Sequence, residues 1–151
     1  VRERLASPLM QRALNTSVPA WLARFGALFV GNRTMEAVLK EIIYDHTLVT
    51  PAVLDRSNRN RQREDMITPL MSLRDSLPLW EQQFAPRFKD VHHSTLILWG
   101  EQDRLFPPQV GRDLQATIPQ ARLIIIPDAG HIPQWEQSDV VNRHITEFLQ
   151  P

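Results

Sequence analysis

Two short, uninterrupted apolar runs constrain this chain more than any other feature. Thr95-Leu96-Ile97-Leu98-Trp99 ends at Gly100, and Arg122-Leu123-Ile124-Ile125-Ile126 is closed by Pro127. Apolar runs of this length without alternation read as strands buried on both faces. Between them, Pro107 and Pro108 lead into a helix through Val110, Leu114 and Ile118 that stops before Pro119. After the second run, Ser138 stands where it would cap a last helix whose Val141, Ile145, Phe148 and Leu149 share one face. Two buried strands joined by a helix make a parallel βαβ unit with a right-handed crossover. Such sheets gather ligands and catalytic groups at the carboxyl ends of their strands. The positions just after Trp99 and just after Ile126 are therefore the ones to examine.

The first ninety residues have a different character, with no period-two alternation long enough for a strand. Trp21 to Val30 is apolar and interrupted by Gly26, which suits a short or broken helix. From Thr34 to Tyr44, Val38, Leu39, Ile42 and Ile43 recur at helical spacing, with Thr34 as the expected N-cap. Thr50-Pro51 and Thr68-Pro69 repeat one device, a capping hydroxyl followed by proline at the first helical position. They predict helices over roughly 51–63 and 69–77, followed by a short helical piece from Leu79 to Phe88. Trp21, Phe25, Phe29 and Trp80 read as the apolar interior of this helical part.

Composition removes several classes of function. Lys plus Arg and Asp plus Glu number 17 each, so the formal net charge is zero. That balance leaves no electrostatic footprint for nucleic acid or for an anionic membrane surface. The chain has no cysteine, which excludes a disulfide framework, a thiolate zinc site and a cysteine nucleophile. The apolar runs are too short to span a bilayer. With 42% hydrophobic and 23% charged residues, the chain has the make-up of a folded globular protein.

The loop after the first apolar run reads Gly100-Glu101-Gln102-Asp103-Arg104, and the loop after the second reads Asp128-Ala129-Gly130-His131. An acid and an imidazole thus stand on adjacent strand-end loops. A hydrolase orients its histidine base in this way, with a carboxylate on one ring nitrogen and the other free to take a proton. Gly130 lets the loop come close without a side chain in the way. Glu101 should point to solvent, and Asp128 reads as a turn former rather than a second acid.

The series Leu98-Trp99-Gly100-Glu101-Gln102-Asp103-Arg104, Pro107, Ile126-Pro127-Asp128-Ala129-Gly130-His131, Trp135-Glu136-Gln137 and Phe148-Leu149 resembles the C-terminal end of the α/β-hydrolase fold. The resemblance implies a partial α/β-hydrolase: a helical cap over residues 1–90, then a parallel β-α-β-α core segment over 91–151. It implies Asp103 as triad acid and His131 as triad base. The phrase Asp45-His46-Thr47-Leu48-Val49-Thr50-Pro51 resembles a cap segment of carbon–carbon bond hydrolases and related esterases. The family's nucleophile sits in Gly-x-Ser-x-Gly upstream of the cap. No serine here stands in a Gly-x-Ser-x-Gly frame with any of the five glycines, and the chain starts at Val1 rather than at methionine. The expectation is that the nucleophile and oxyanion hole belong to an upstream half, and that these 151 residues alone are inactive.

The implied substrate is a small, largely apolar molecule with an ester-like or activated carbonyl, buried between cap and core, with no cofactor and no metal. Trp135 is the aromatic expected to wall the site, with packing under the loop as the equal alternative. Arg56, in a basic cluster with Arg59, Arg61 and Arg63, is the candidate to hold a substrate carboxylate; a solvated helix face is the plainer reading. His92 and His93 lack the spaced carboxylate or cysteine of a metal site. A non-catalytic binding or scaffold protein on the same fold is the rival reading, although it has no need of the Asp103 and His131 pair. A nucleotide-binding βαβ unit is disfavoured, because no glycine-rich turn follows either strand. A cytoplasmic location is the default expectation.

Overall fold

The computed structural model describes residues 8, 11, 32–61 and 67–150. The readings made for Trp21 to Val30, and for Trp21, Phe25 and Phe29, lie outside these residues. Helix α1 spans Asn32–Ile42, a 3-10 turn His46–Leu48, helix α2 Pro51–Arg61 and helix α3 Ile67–Gln83. A second 3-10 turn, Ala85–Asp90, leads into the strand part. There β1 (Thr95–Gly100), α4 (Pro108–Thr117), β2 (Ala121–Ile126), α5 (Pro133–Glu136) and α6 (Ser138–Leu149) follow in order.

The strands pair in parallel, Thr95 beside Ala121 and Gly100 beside Ile126, with α4 as the crossover. Both expected strands and the helix between them are present. The expected burial on both faces is not: along β1 and β2 most side chains are half-buried, and burial is complete only at the carboxyl ends, Gly100 and Ile126. Among the described residues each strand has a single partner in this sheet. The core sits beneath the strand ends, where Ile126, Ala129 and Val141 are buried and Leu98, Ile124 and Val140 pack against them. Complete burial of Ile126 contributes about 1.5–3 kcal/mol. The apolar stripe of α6 outruns this core. Val141 is buried, but Ile145 and Leu149 are exposed.

Several helix starts differ from the sequence reading. Thr50 does cap α2, its hydroxyl accepting from the Val53 amide at 3.3 Å. Thr34 falls inside the first turn of α1, and Thr68 inside that of α3. Gln137 rather than Ser138 occupies the N-cap of α6, with no side-chain cap. A first-turn amide has no partner within its own helix, so a polar residue there can sit at or just inside the boundary. The two helices expected over 69–77 and 79–88 form one helix to Gln83, with Pro78 inside it. Proline removes one helical hydrogen bond at a cost of about 3 kcal/mol. Beyond Pro78 the Trp80 ring packs on Phe84 and Phe88, at centroid separations of 5.9 and 5.8 Å. Trp80 is nevertheless exposed rather than interior. Among the described residues no helix is long and apolar enough to cross a membrane.

Candidate active site

The two strand-end loops are zipped together by backbone geometry before any side chain contributes. The Glu101 amide donates to Ile126 O at 2.9 Å, and the Gln102 amide donates to Ala129 O at 2.9 Å. The Gln102 side chain closes the ring, its Oε1 accepting from the Ala129 amide at 3.1 Å. This approach requires glycine at position 100, where a Cβ would stand 1.9 Å from Gly130 O.

On this base the acid loop folds back over Asp103. One carboxylate oxygen, Oδ1, accepts from the amides of Leu105 and Phe106 at 2.8 and 2.9 Å. The other, Oδ2, meets His131 Nδ1 at 2.9 Å. The Asp103 side chain is 4% exposed and the His131 side chain 36% exposed. Three hydrogen bonds thus hold the buried carboxylate, which burial without partners would make costly. With Oδ2 accepting from Nδ1–H, the neutral imidazole keeps its basic lone pair on Nε2. The Phe106 ring lies against the imidazole at 5.8 Å. The His131 amide donates to Ile42 O at 2.7 Å, so the helical part touches the base directly. A cavity of about 150 Å³ opens beside the pair, lined by Leu98, Trp99, Gly100, Asp103, His131, Pro133 and Gln134.

The carboxylate–imidazole contact expected from the sequence is present, through the expected Nδ1. Glu101 stays exposed and turns to Gln102 Nε2 at 3.0 Å, away from the imidazole. Asp128 is a turn residue with φ 53°, in the left-handed region where a β-branched side chain is strained. Asp128→Val should therefore lower stability by about 1–2 kcal/mol, read from a urea melt, while Asp128→Gly should not.

Trp135 is 41% exposed on α5 and is not among the cavity-lining residues, although its neighbours Pro133 and Gln134 are. Arg56 is exposed on α2 and is not brought to that cavity. His92 and His93 are exposed in the segment before β1, and His144 Nδ1 pairs with Glu147 at 3.3 Å. His46 Nε2 lies 3.0 Å from Lys40 O, near the end of α1. Asp45 caps the following 3-10 turn, and the Thr47 hydroxyl and amide hold its carboxyl below the ordinary range.

Sequence reasoning missed Gln102, Ile42 and Glu136 as parts of this arrangement. Gln102 left a faint signal, a polar residue between two acids on a strand-end loop. Ile42 contributes a backbone carbonyl, which no side-chain pattern announces. Glu136 belonged to the resembling motif but carried no role there.

The sequence model for the alpha/beta hydrolase fold matches residues 8–138. The chain belongs to the α/β-hydrolase family. Among relatives of this α/β-hydrolase chain is the 2-hydroxy-6-oxononadienedioate/2-hydroxy-6-oxononatrienedioate hydrolase of Comamonas testosteroni, 32% identical over 117 residues. The 2-hydroxy-6-oxo-6-phenylhexa-2,4-dienoate hydrolase of Burkholderia cepacia is equally similar. Each match covers 77% of this chain and 41% of the relative, so the chain spans about two-fifths of their length. Among solved structures, a meta-cleavage product hydrolase from Pseudomonas fluorescens IP01 superposes with a TM-score of 0.64 at 25% identity, over 78% of this chain and 45% of that one. A thermophilic esterase from Thermogutta terrifontis gives 0.60 at 25% identity, over 97% and 52%.

Proposed function

We propose that this chain is the cap and C-terminal core of an α/β-hydrolase whose nucleophile lies upstream, with residues 1–90 as cap and 91–151 as core. The observation that carries the reading is the buried Asp103 carboxylate on His131 Nδ1, at the ends of two adjacent parallel strands. In the whole enzyme an upstream serine attacks the substrate carbonyl while His131 Nε2 takes its proton. The imidazolium then returns that proton to the leaving group, and the same nitrogen activates the water that releases the acyl group. Asp103 stabilises the imidazolium and keeps Nδ1 protonated throughout. The reaction at this site needs no metal or cofactor.

The substrate class is a small, largely apolar molecule with an ester-like or activated carbonyl, rather than nucleic acid or a membrane. The names of the relatives favour the activated ketone of a 2-hydroxy-6-oxo-dienoate, cleaved at the carbon–carbon bond beside it. The full-length protein should turn over either a short p-nitrophenyl ester or 2-hydroxy-6-oxo-6-phenylhexa-2,4-dienoate, and the 151 residues alone should turn over neither. A strand, Gly-x-Ser-x-Gly and a helix should be encoded upstream of Val1. Absence of that motif together with absence of turnover would leave the binding-protein reading in its place.

A further inference from the structure

We infer that Glu136 is a positioning residue that ties the helical part of the chain to the loop carrying His131. The inference rests on the hydrolase reading above. Glu136 lies at the end of the four-residue helix α5, five positions beyond His131, and each of its carboxylate oxygens accepts hydrogen bonds. Oε2 accepts from the amides of Tyr44 and Asp45 at 2.6 and 3.1 Å. Oε1 accepts from the amide of Gly130, the residue before the base, at 2.8 Å. One carboxylate therefore joins three backbone amides from segments separated by more than eighty residues of chain. Bonds from an ionised carboxylate to amides are roughly twice as strong as neutral ones.

The surroundings show that this junction is close-fitting. A Cβ on Gly130 would stand 2.6 Å from Ile42 O and 2.9 Å from Tyr44 N, so the two backbones touch at this point. The same Ile42 carbonyl accepts the His131 amide at 2.7 Å. On one side, then, His131 is located by Asp103 through its ring; on the other, by residues 42–45 through its backbone and through Glu136. Among the described residues the hydrogen bonds of Glu136 go to backbone amides and not to the Asp103 or His131 side chain, so its action runs through the position of His131. A displacement of residues 42–45 would therefore move the base and misalign the imidazole.

Glu136→Gln separates this role from simple packing. The variant keeps the shape of the side chain but leaves one acceptor oxygen where two now accept, and its NH2 would face the amide donors of one segment. In the full-length protein kcat should fall about 10- to 100-fold with KM changed by less than about twofold. Asp139→Asn, which removes the same charge from the exposed first turn of α6, should leave both constants as they are. Hydrogen exchange followed by mass spectrometry should show faster exchange in peptides covering 43–46 and 129–132 together, with an unchanged rate in β1. Unaltered exchange in both peptides, or faster exchange with unaltered kcat, would overturn the inference. If the wild-type protein has no turnover, the hydrolase reading fails, and the exchange result still decides whether Glu136 joins the two segments.

Discussion

His131→Ala in the full-length protein is expected to lower turnover by about 10⁵- to 10⁶-fold while the protein remains folded. Removal of the histidine of a serine-type triad costs this much because no other group takes the nucleophile's proton. In this chain Asp103 cannot take over, because its Oδ1 already accepts two backbone amides and its oxygens are buried. The structural cost is small by comparison. The imidazole is 36% exposed and makes one side-chain hydrogen bond, so its loss should lower stability by about 1–2 kcal/mol. Stopped assays with the dienoate and the p-nitrophenyl ester, run beside a thermal melt of the same preparation, separate the two effects. Wild-type turnover in a folded His131→Ala variant would show that the base lies elsewhere.

Gly100→Ala is expected to lower stability by about 4 kcal/mol or more, the largest effect of an added Cβ at the described glycines. The added Cβ would lie 1.9 Å from Gly130 O, 2.5 Å from Ala129 O and 2.8 Å from Gly130 C. All three are backbone atoms, so no side-chain rotation relieves the clash. The loops would have to part, breaking the two hydrogen bonds between Gln102 and Ala129 and drawing Asp103 away from His131. Gly111→Ala supplies the contrast within the same βαβ unit. Its Cβ would meet only side-chain atoms, of Trp99 at 3.1 Å and Leu123 at 3.3 Å, and alanine favours the helix by about 0.5–1 kcal/mol. Gly111→Ala should therefore stay within about 1 kcal/mol of wild type in chemical denaturation. Equal midpoints for the two variants would mean that the strand ends do not approach as closely as described.

The sequence by itself determined the parts of this protein that depend on local chemistry. The apolar runs at 95–99 and 122–126, the Pro107-Pro108 helix start and the glycine after β1 specify a parallel βαβ unit. They do so because each run has few other ways to leave water. From that unit the positions of Asp103 and His131 followed, since parallel strands bring their carboxyl ends to one edge of the sheet. Helix limits were less legible. Thr34, Thr68 and Ser138 all read as caps and all lie just inside their helices, because a hydroxyl near a first turn is nearly indifferent to a shift of one or two residues. The pieces expected over 69–77 and 79–88 are one helix as far as Gln83, with Pro78 inside it.

What only the tertiary structure decided are contacts between segments distant in the chain and made through the backbone. The carbonyl of Ile42 on the His131 amide, the carbonyl of Ala129 on the Gln102 amide and the 1.9 Å approach at Gly100 involve groups that every residue carries, so no residue type marks them. Glu136 and Gln102 are marked as polar, but their partners are amides brought within reach by the fold. Trp135 and Arg56 do not line the cavity beside the Asp103–His131 pair. A side chain's chemistry is written in its residue; the direction it faces is set by the packing of elements that the sequence does not place side by side.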